Sequence, residues 1–198
     1  MAIAVLTVDQ QGSRSGPDLV PATMAALGGV SLLRAFERTV GDEFQGVADD
    51  PAELVRAVEL LLREGTWNVG IGVGSVEEPL PEHARAGRGP AYLQARSAVT
   101  AAKTSPWHLR VLGDDPAARA LETVLWLWAV VLGRRTARGW EVADLVEQGL
   151  SYDACARRLG ISQSAVSQRA QAAGIVEGRR ARELATELAT TLLAGGAA

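Results

Sequence analysis

Cysteine is nearly absent from this chain of 198 residues, with Cys155 as its single copy. One thiol excludes an internal disulfide framework and a cysteine cluster for metal. Histidine is scarce too. Because His83 and His108 lie far apart in unlike contexts, we expect them to share no metal ion.

The sequence also lacks a long hydrophobic run and a leader-like beginning. Its longest apolar run, from Val124 to Leu132, is too short to span a bilayer. The opening MAIAVLTVDQ has no basic segment and contains an aspartate within its first ten residues, which is not typical of a signal peptide. We therefore expect a cytoplasmic protein with no membrane partner.

Charge is distributed unevenly around a net value of −3. From Arg134 to Arg182 there are nine arginines against five acidic residues, so the rest of the chain is acidic. Such a basic segment indicates either a part that binds a polyanion or a scattered, solvated arginine face. Charge alone does not separate these two interpretations.

Hydrophobic periodicity and turn residues predict the element order β-α-β-β-α-β-α-β for the first part of the chain. The segment from Val30 to Val40 fits a helix or a strand. This order is that of a ferredoxin-like or palm-type α/β sandwich. An all-helical remainder follows, so we predict an α+β fold.

Composition shifts near Gly113, where alanine, arginine and leucine become frequent. We predict an α/β domain over 1–113, a linker or dimerisation helix over 114–138 and a helix-turn-helix domain over 139–198. The last helix has a stripe at Leu184, Leu188, Thr191 and Leu192, which could pack on the body or pair with a second copy.

The segment SYDACARRLGISQSAVSQRAQAAG, from Ser151 to Gly174, has the pattern of a helix-turn-helix. Ala156 provides the small residue where two helices cross, Gly160 lies in the turn, and Ser162 can cap the second helix. An ordinary helical pair with a solvated polar face is the alternative. The segment resembles the motif of bacterial one-component regulators and of promoter-reading sigma regions.

The side chains predicted to contact double-stranded DNA are Arg157, Ser162, Gln163, Ser164, Ser167, Gln168, Arg169 and Gln171. Glutamine and arginine reach base edges, and serine contacts phosphates or bases. Whether Arg169 faces bases or the first helix is open from the pattern. We expect a homodimer, because one short helix reads few base pairs.

Asp9 ends the first predicted strand, and Asp42 lies in the Gly-Asp turn of a predicted hairpin. In a palm-type sheet these carboxylates lie on neighbouring strands, where they repel unless a cation or proton intervenes. Three interpretations are open: a plain turn, a metal or ligand site without turnover, and an active phosphotransfer site. We favour the second, with the loop at Ser13 and Arg14 cradling an anion.

Four motifs occur in order within roughly the first 110 residues: DQQGSR (9–14), GDEFQG (41–46), GIGVG (70–74) and GPAYLQAR (89–96). They resemble the motifs of the bacterial SatD family. The fold order with Asp9 and GDEF also resembles class III nucleotide cyclases and GGDEF diguanylate cyclases. This resemblance implies Mg²⁺ or Mn²⁺ at Asp9 and Asp42 with a nucleotide or another small phosphate-containing ligand.

The cyclase resemblance implies a catalytic Asn and Arg four residues apart on one helix. Arg96 occupies the Arg position, but Tyr92 stands where Asn is expected, and Val40 replaces the first glycine of GGDEF. No Lys/Asp base-selecting pair is evident. These departures count against turnover without deciding it. We assign Glu43 and Arg96, with the Ser13–Arg14 loop, to ligand binding, where Glu43 would face solvent or support the site from a second layer.

Together these features predict a DNA-binding transcription regulator whose N-terminal domain senses a ligand or mediates dimerisation. The apolar helix from Ala117 to Leu132 would carry dimerisation or a signal between the domains. One alternative is a metal-dependent nucleotidyl cyclase or phosphotransferase that the helix-turn-helix targets to DNA. Another is an accessory protein that uses its helices on RNA polymerase.

Overall fold

The computed structural model describes residues 2–195 and contains a five-stranded sheet with helices on both faces. The strands are β1 (Ile3–Gln10), β2 (Arg34–Arg38), β3 (Glu43–Ala48), β4 (Trp67–Gly74) and β5 (Leu109–Leu112). The α-helices are α1 (Val20–Ala26), α2 (Pro51–Glu64), α3 (Pro90–Ala102), α4 (Ala117–Gly133), α5 (Ala137–Glu147), α6 (Tyr152–Leu159), α7 (Gln163–Ala172) and α8 (Ile175–Ala194). The predicted element order is confirmed through β5, and the ambiguous segment 30–40 contains a strand.

The sheet has the strand order β2-β3-β1-β4-β5. The pairs β2–β3, β3–β1 and β1–β4 are antiparallel, and the pair β4–β5 is parallel. A parallel pair needs a crossover connection, which here is α3. The predicted α+β class is confirmed, with the mixed sheet first in the chain and helices after it.

Successive side chains along each strand point to opposite sides of the sheet, so the sheet has two different faces. On one face α3 packs so closely that a Cβ at Gly70 or Gly72 would lie within 3.0 Å of its backbone. The glycine-alternating sequence of β4 is therefore a consequence of close helix approach. The opposite face is covered by α1, α2, α4 and α8.

The main hydrophobic core lies on this second face and joins the sheet to helices from both ends of the chain. Leu6 and Phe44 of the sheet share it with Leu54 of α2, Trp128 of α4 and Ala189 of α8, all at most 1% exposed. The helix α8 thus packs within its own chain. The predicted domain boundaries stay predictions, since this core includes residues on both sides of them.

The stripe predicted for the last helix is partly wrong. Leu184 is 46% exposed and Thr191 is exposed, whereas Ala185, Ala189 and Leu192 are buried. Small residues on this side let α8 approach α4 closely. The buried face of α8 is therefore rotated relative to the face that the leucine positions predicted. Although α4 contains the longest apolar run, no helix in residues 2–195 has both the length and the hydrophobicity to cross a membrane.

The helices α5, α6 and α7 form a separate, smaller core. It includes Val142 of α5, Cys155 and Ala156 of α6, and Val166 and Ala170 of α7. Each of these helices begins with a hydroxyl cap, which satisfies a backbone N–H that the first turn leaves free. We refer to α5, α6 and α7 as the helical trio.

A network of charged side chains joins the helical trio to the rest of the protein. Arg63 of α2 donates to both carboxylate oxygens of Asp144 in α5, at 2.7 and 2.8 Å. Arg182 of α8 pairs with Glu59 of α2 at 2.7 Å and with Glu147 of α5. We call these five residues the interhelix charge network. They hold the trio by side-chain contacts as well as by the chain itself.

The close approach of α3 gives the first prediction. Gly72→Ala places a methyl group against the backbone of α3, so the helix must move; we expect a loss of about 3 kcal/mol or more in unfolding free energy, or failure to fold. Gly28→Ala is the matched control, because nothing lies within 4 Å of its Cβ. Urea unfolding followed by circular dichroism measures both. Equal stability of the two variants would contradict the packing described.

Candidate functional site

A polar cleft lies at the end of β1 where three strands carry polar side chains in one row. In the strand register Asp9 is directly opposite Glu43 of β3 and Asn68 of β4, so all three side chains emerge on the α3 face. The cleft has a volume of about 500 Å³. Its lining comprises Asp9, Gln10, Gln11, Gly12, Ser13, Arg14, Ser15, Asp42, Asn68, Lys103 and His108.

The carboxylate of Asp9 already has two donors from the protein. Lys103, just after α3, places its Nζ atom 3.2 Å from Asp9 Oδ2, and the Nδ2 atom of Asn68 donates to the same oxygen at 3.0 Å. Lys103 is the one lysine in the sequence. The charge of Asp9 is thus offset within the cleft, although the side chain is only 17% exposed.

His108 reaches the cleft from an unusual backbone conformation. Trp107 and His108 have φ angles of 56° and 50°, which residues other than glycine rarely adopt. Such conformations persist only where surrounding contacts impose them, and they are frequent at functional sites. The Nδ1 atom of His108 lies 3.1 Å from Oδ1 of Asn68. Asn68 therefore bridges Asp9 and His108.

Gln10 anchors the loop that forms one wall of the cleft. Its buried side chain donates to the carbonyl oxygen of Pro17 at 2.7 Å and accepts from the backbone N–H of Leu19 at 2.9 Å. Arg38 pairs with Asp18 at 2.7 Å and holds the pKa of that carboxyl below its usual value, mainly through the hydrogen bond. Ser13 is half-buried and Arg14 exposed in the loop so held.

Asp42 lies beside the end of β1, because its carbonyl oxygen accepts a hydrogen bond from the N–H of Gln10 at 3.2 Å. Asp9 and Asp42 therefore line the same cleft, as expected from the strand order. In residues 2–195 no three His, Cys, Asp or Glu side chains are grouped to hold a metal ion. Two carboxylates suit Mg²⁺ only when ligand phosphates complete its coordination. The metal site stays a prediction.

Glu43 and Arg96 are next to each other, but neither is among the residues that line the cleft. Arg96 lies 3.4 Å from Oε2 of Glu43, and Glu43 also accepts from the hydroxyl of Thr39 at 2.8 Å. The Glu43 side chain is 14% exposed and that of Arg96 72%. Glu43 is thus held by protein partners, and it supports the row that contains Asp9.

Tyr92 lies on the buried side of α3. Its ring contacts Gly87, and it packs with Ala91 and Ala95 in a small core beneath the helix. Burial raises the pKa of the tyrosine hydroxyl. At the position where the cyclase resemblance requires an Asn, the chain therefore has a core residue that does not line the cleft.

Sequence reasoning missed Asn68, Lys103 and His108 as members of the site. Asn68 is the one polar residue in the apolar run of β4, which was the available signal. Nothing near His108 marks it, because its position depends on the turn between α3 and β5.

A second candidate surface is the exposed side of α7. Ser162, Gln163, Ser164, Ser167, Gln168 and Gln171 are all exposed. Gly160 ends α6 in the left-handed conformation, with φ of 65°, and the hydroxyl of Ser162 accepts from the N–H of Ala165 at 3.2 Å. The turn and cap predicted from the sequence are therefore present.

Two predicted contact residues differ from this exposed face. Arg169 is turned toward α5, where it lies 3.8 Å from Glu141 with 26% of its side chain exposed. Arg169 therefore lies beside α5, which is neither of the two positions that the pattern left open, the bases and the first helix of the motif. Arg157 is 70% exposed on α6 and pairs with Asp153 one turn earlier.

Comparison with known proteins gave no match to a protein family, to a curated protein or to a solved structure. What the protein does is therefore inferred from its own residues and their geometry.

The loop anchor gives the second prediction. Gln10→Ala leaves the Pro17 carbonyl and the Leu19 N–H without their partner, which costs about 1–3 kcal/mol and loosens the loop. We expect faster trypsin cleavage after Arg14, while cleavage after Arg119 in α4 stays slow. Gln10→Glu keeps the acceptor for the Leu19 N–H, so its rate of cleavage after Arg14 should lie between those of the wild-type protein and of Gln10→Ala. Unchanged cleavage after Arg14 would show that Gln10 does not hold the loop.

Proposed function

We propose that this protein is a DNA-binding transcription regulator in which α6 and α7 act as a helix-turn-helix and α7 enters the major groove. The observation that carries the proposal is the exposed side of α7, with six polar side chains and no acidic residue. Glutamine and serine are suited to base edges and phosphates. A solvated surface helix has no need to exclude carboxylates.

The packing around α7 supports the same role. A recognition helix must be rigid and project from its own small core, and Val166 and Ala170 anchor α7 there while its other side remains open. Arg157, Arg179 and Arg180 are exposed on the adjoining helices and would reach phosphates. With Arg169 turned toward Glu141, base reading falls to the glutamines and serines.

The sheet domain takes the sensing role in this proposal. Its antiparallel order β2-β3-β1-β4, with α1 and α2 on one face, supports a palm-type domain. A small phosphate-containing ligand, with Mg²⁺ or Mn²⁺ shared between Asp9 and Asp42, would bind in the cleft. Ser13 and Arg14 provide the anion-binding wall. The protein would act in the cytoplasm as a homodimer, since one α7 reads few base pairs.

Phosphotransfer is the competing function, and the cleft favours binding over turnover. Tyr92 is in the core, and Arg96 is held by Glu43, so neither side chain lines the cleft to stabilise a transferring phosphate. The resemblance to SatD proteins and cyclases is therefore taken as one of fold.

The third prediction tests DNA reading. The wild-type protein is expected to retain from sheared genomic DNA a few sites that share a two-fold-symmetric motif. On such a site Gln168→Ala should weaken binding by about 10-fold, equivalent to about 1.4 kcal/mol, because a glutamine contact to a base edge is lost. Gln148→Ala is the matched control, an exposed glutamine outside α6 and α7. Fluorescence anisotropy measures both affinities.

A phosphate contact behaves differently from a base contact. Arg157→Ala should weaken binding to all sequences alike. It should also reduce the slope of log affinity against log salt concentration by about one, because one phosphate contact is lost. Uniform recovery of genomic DNA, or equal affinity of the Gln168 and Gln148 variants, would contradict sequence reading by α7. Tight association with RNA polymerase in that case would favour the accessory role.

The fourth prediction separates sensing from catalysis. Incubation of the protein with each nucleoside triphosphate and Mn²⁺, followed by chromatography, is expected to give no product, because Tyr92 and Arg96, at the positions of the catalytic Asn and Arg, are not among the residues that line the cleft. Product that disappears in Asp42→Asn would overturn this expectation and establish a phosphotransferase. An Asp49→Asn variant serves as the control for a carboxylate outside the cleft.

A further inference from the structure

We propose that His108 is a ligand-binding residue whose Nε2 atom accepts a hydrogen bond from a hydroxyl group on a phosphate-bearing ligand. This inference rests on the proposed sensing role of the cleft and specifies a second group on the ligand besides its phosphate. A chain of contacts runs from Lys103 through Asp9 and Asn68 to His108.

The orientation of the Asn68 side chain is determined by Asp9. An ionised carboxylate only accepts hydrogen bonds, so the amide nitrogen of Asn68 must be the atom that faces Asp9, at 3.0 Å. The amide oxygen then faces His108. Asn68 is 5% exposed, so water does not offer an alternative partner that would let it turn.

The orientation of Asn68 in turn determines which ring nitrogen of His108 carries hydrogen. The Nδ1 atom lies 3.1 Å from an oxygen that can only accept, so Nδ1 must be the donor. In a neutral imidazole the other nitrogen then has a free lone pair. His108 therefore presents Nε2 as an acceptor, with the tautomer selected by a buried neighbour.

The backbone supports a functional interpretation of this histidine. Trp107 and His108 both have left-handed φ angles, and the hydroxyl of Ser105 donates to the carbonyl oxygen of Leu109 at 2.9 Å across the turn. Two adjacent residues of this kind are unfavourable unless the surroundings compensate. Here the conformation brings the imidazole to the cleft lining.

The lining of the same cleft is also suited to an anion. Lys103 and Arg14 provide positive charge, and Ser13 provides a hydroxyl next to the Gly12 turn. The cleft volume, about 500 Å³, admits a small polar molecule rather than a single ion. Together with His108 as an acceptor, this lining suits a phosphate ester that also has a hydrogen-bond donor.

The tautomer is tested first, without any ligand. The chain has two histidines, so His83→Gln leaves His108 as the one imidazole. Long-range ¹H–¹⁵N NMR at about pH 8, above the ordinary histidine pKa, should show hydrogen on Nδ1. Adding Asn68→Ala should shift the population toward hydrogen on Nε2. Hydrogen mainly on Nε2 in the His83→Gln protein would overturn the inference.

Ligand contact is tested through Lys103, whose position as the one lysine allows its modification to be followed by mass spectrometry. Hydroxyalkyl phosphates of increasing chain length are compared with alkyl phosphates of equal length, and inorganic phosphate is the reference. We expect at least one hydroxyalkyl phosphate to protect Lys103 at about three- to ten-fold lower concentration than its alkyl match. In His108→Asn, which tolerates the left-handed backbone, this advantage should vanish while phosphate protects as before.

The outcomes separate this inference from the proposed function. Protection by phosphate with no advantage for any hydroxyl compound, or an advantage that survives in His108→Asn, would overturn the role of His108 and leave the sensing cleft intact. No protection by any phosphate compound would overturn the sensing role and this inference with it. Circular dichroism of each variant checks that its fold is retained.

Discussion

Helix α3 lies so close to β4 that there is no room for a side chain at Gly70 or Gly72. This contact sets the height of α3 above the sheet, and through it the position of the two cations that reach the polar row. Lys103 meets Asp9, and Arg96 meets Glu43. The turn that follows α3 then returns the chain to β5 and brings His108 beside Asn68. The cleft therefore exists because two glycines let a helix approach.

The polar row is unusual for a sheet with helices on both faces. Buried polar groups are costly unless each finds a partner, and here the partners form one connected chain rather than separate pairs. Asp9, Asn68 and His108 each have an assigned hydrogen-bonding role, and Gln10 fastens the adjoining loop. Such an arrangement is preorganised for a polar ligand, because little has to move on binding.

The helical trio is attached to the sheet in two ways. The core shared by α4, α8 and the sheet is apolar, whereas the contact with α5 is the interhelix charge network with Trp140 between Arg63 and Arg135. Under the proposed function a signal from the cleft must reach α7 through α2, α4 or α8. Burial lowers the pKa of Arg135, which lies among Arg63 and Arg182.

Local features of the site and fold could be predicted from the sequence because they depend on neighbours along the chain. The turn at Gly160 and the cap at Ser162 follow from backbone conformation within a few residues. The exposed face of α7 followed from helical periodicity.

The remaining features depend on contacts between distant residues, which periodicity does not specify. The pairing of Arg169 with Glu141, the packed face of α8 and the Lys103–Asp9–Asn68–His108 chain each join separate elements. Asp9 and Asp42 could be matched from the strand order, but not the lysine that neutralises Asp9. The sequence by itself determined the order of most elements, the caps of the motif helices and the exposed face of α7. The tertiary structure alone decided which charges meet, because that depends on how closely the helices pack.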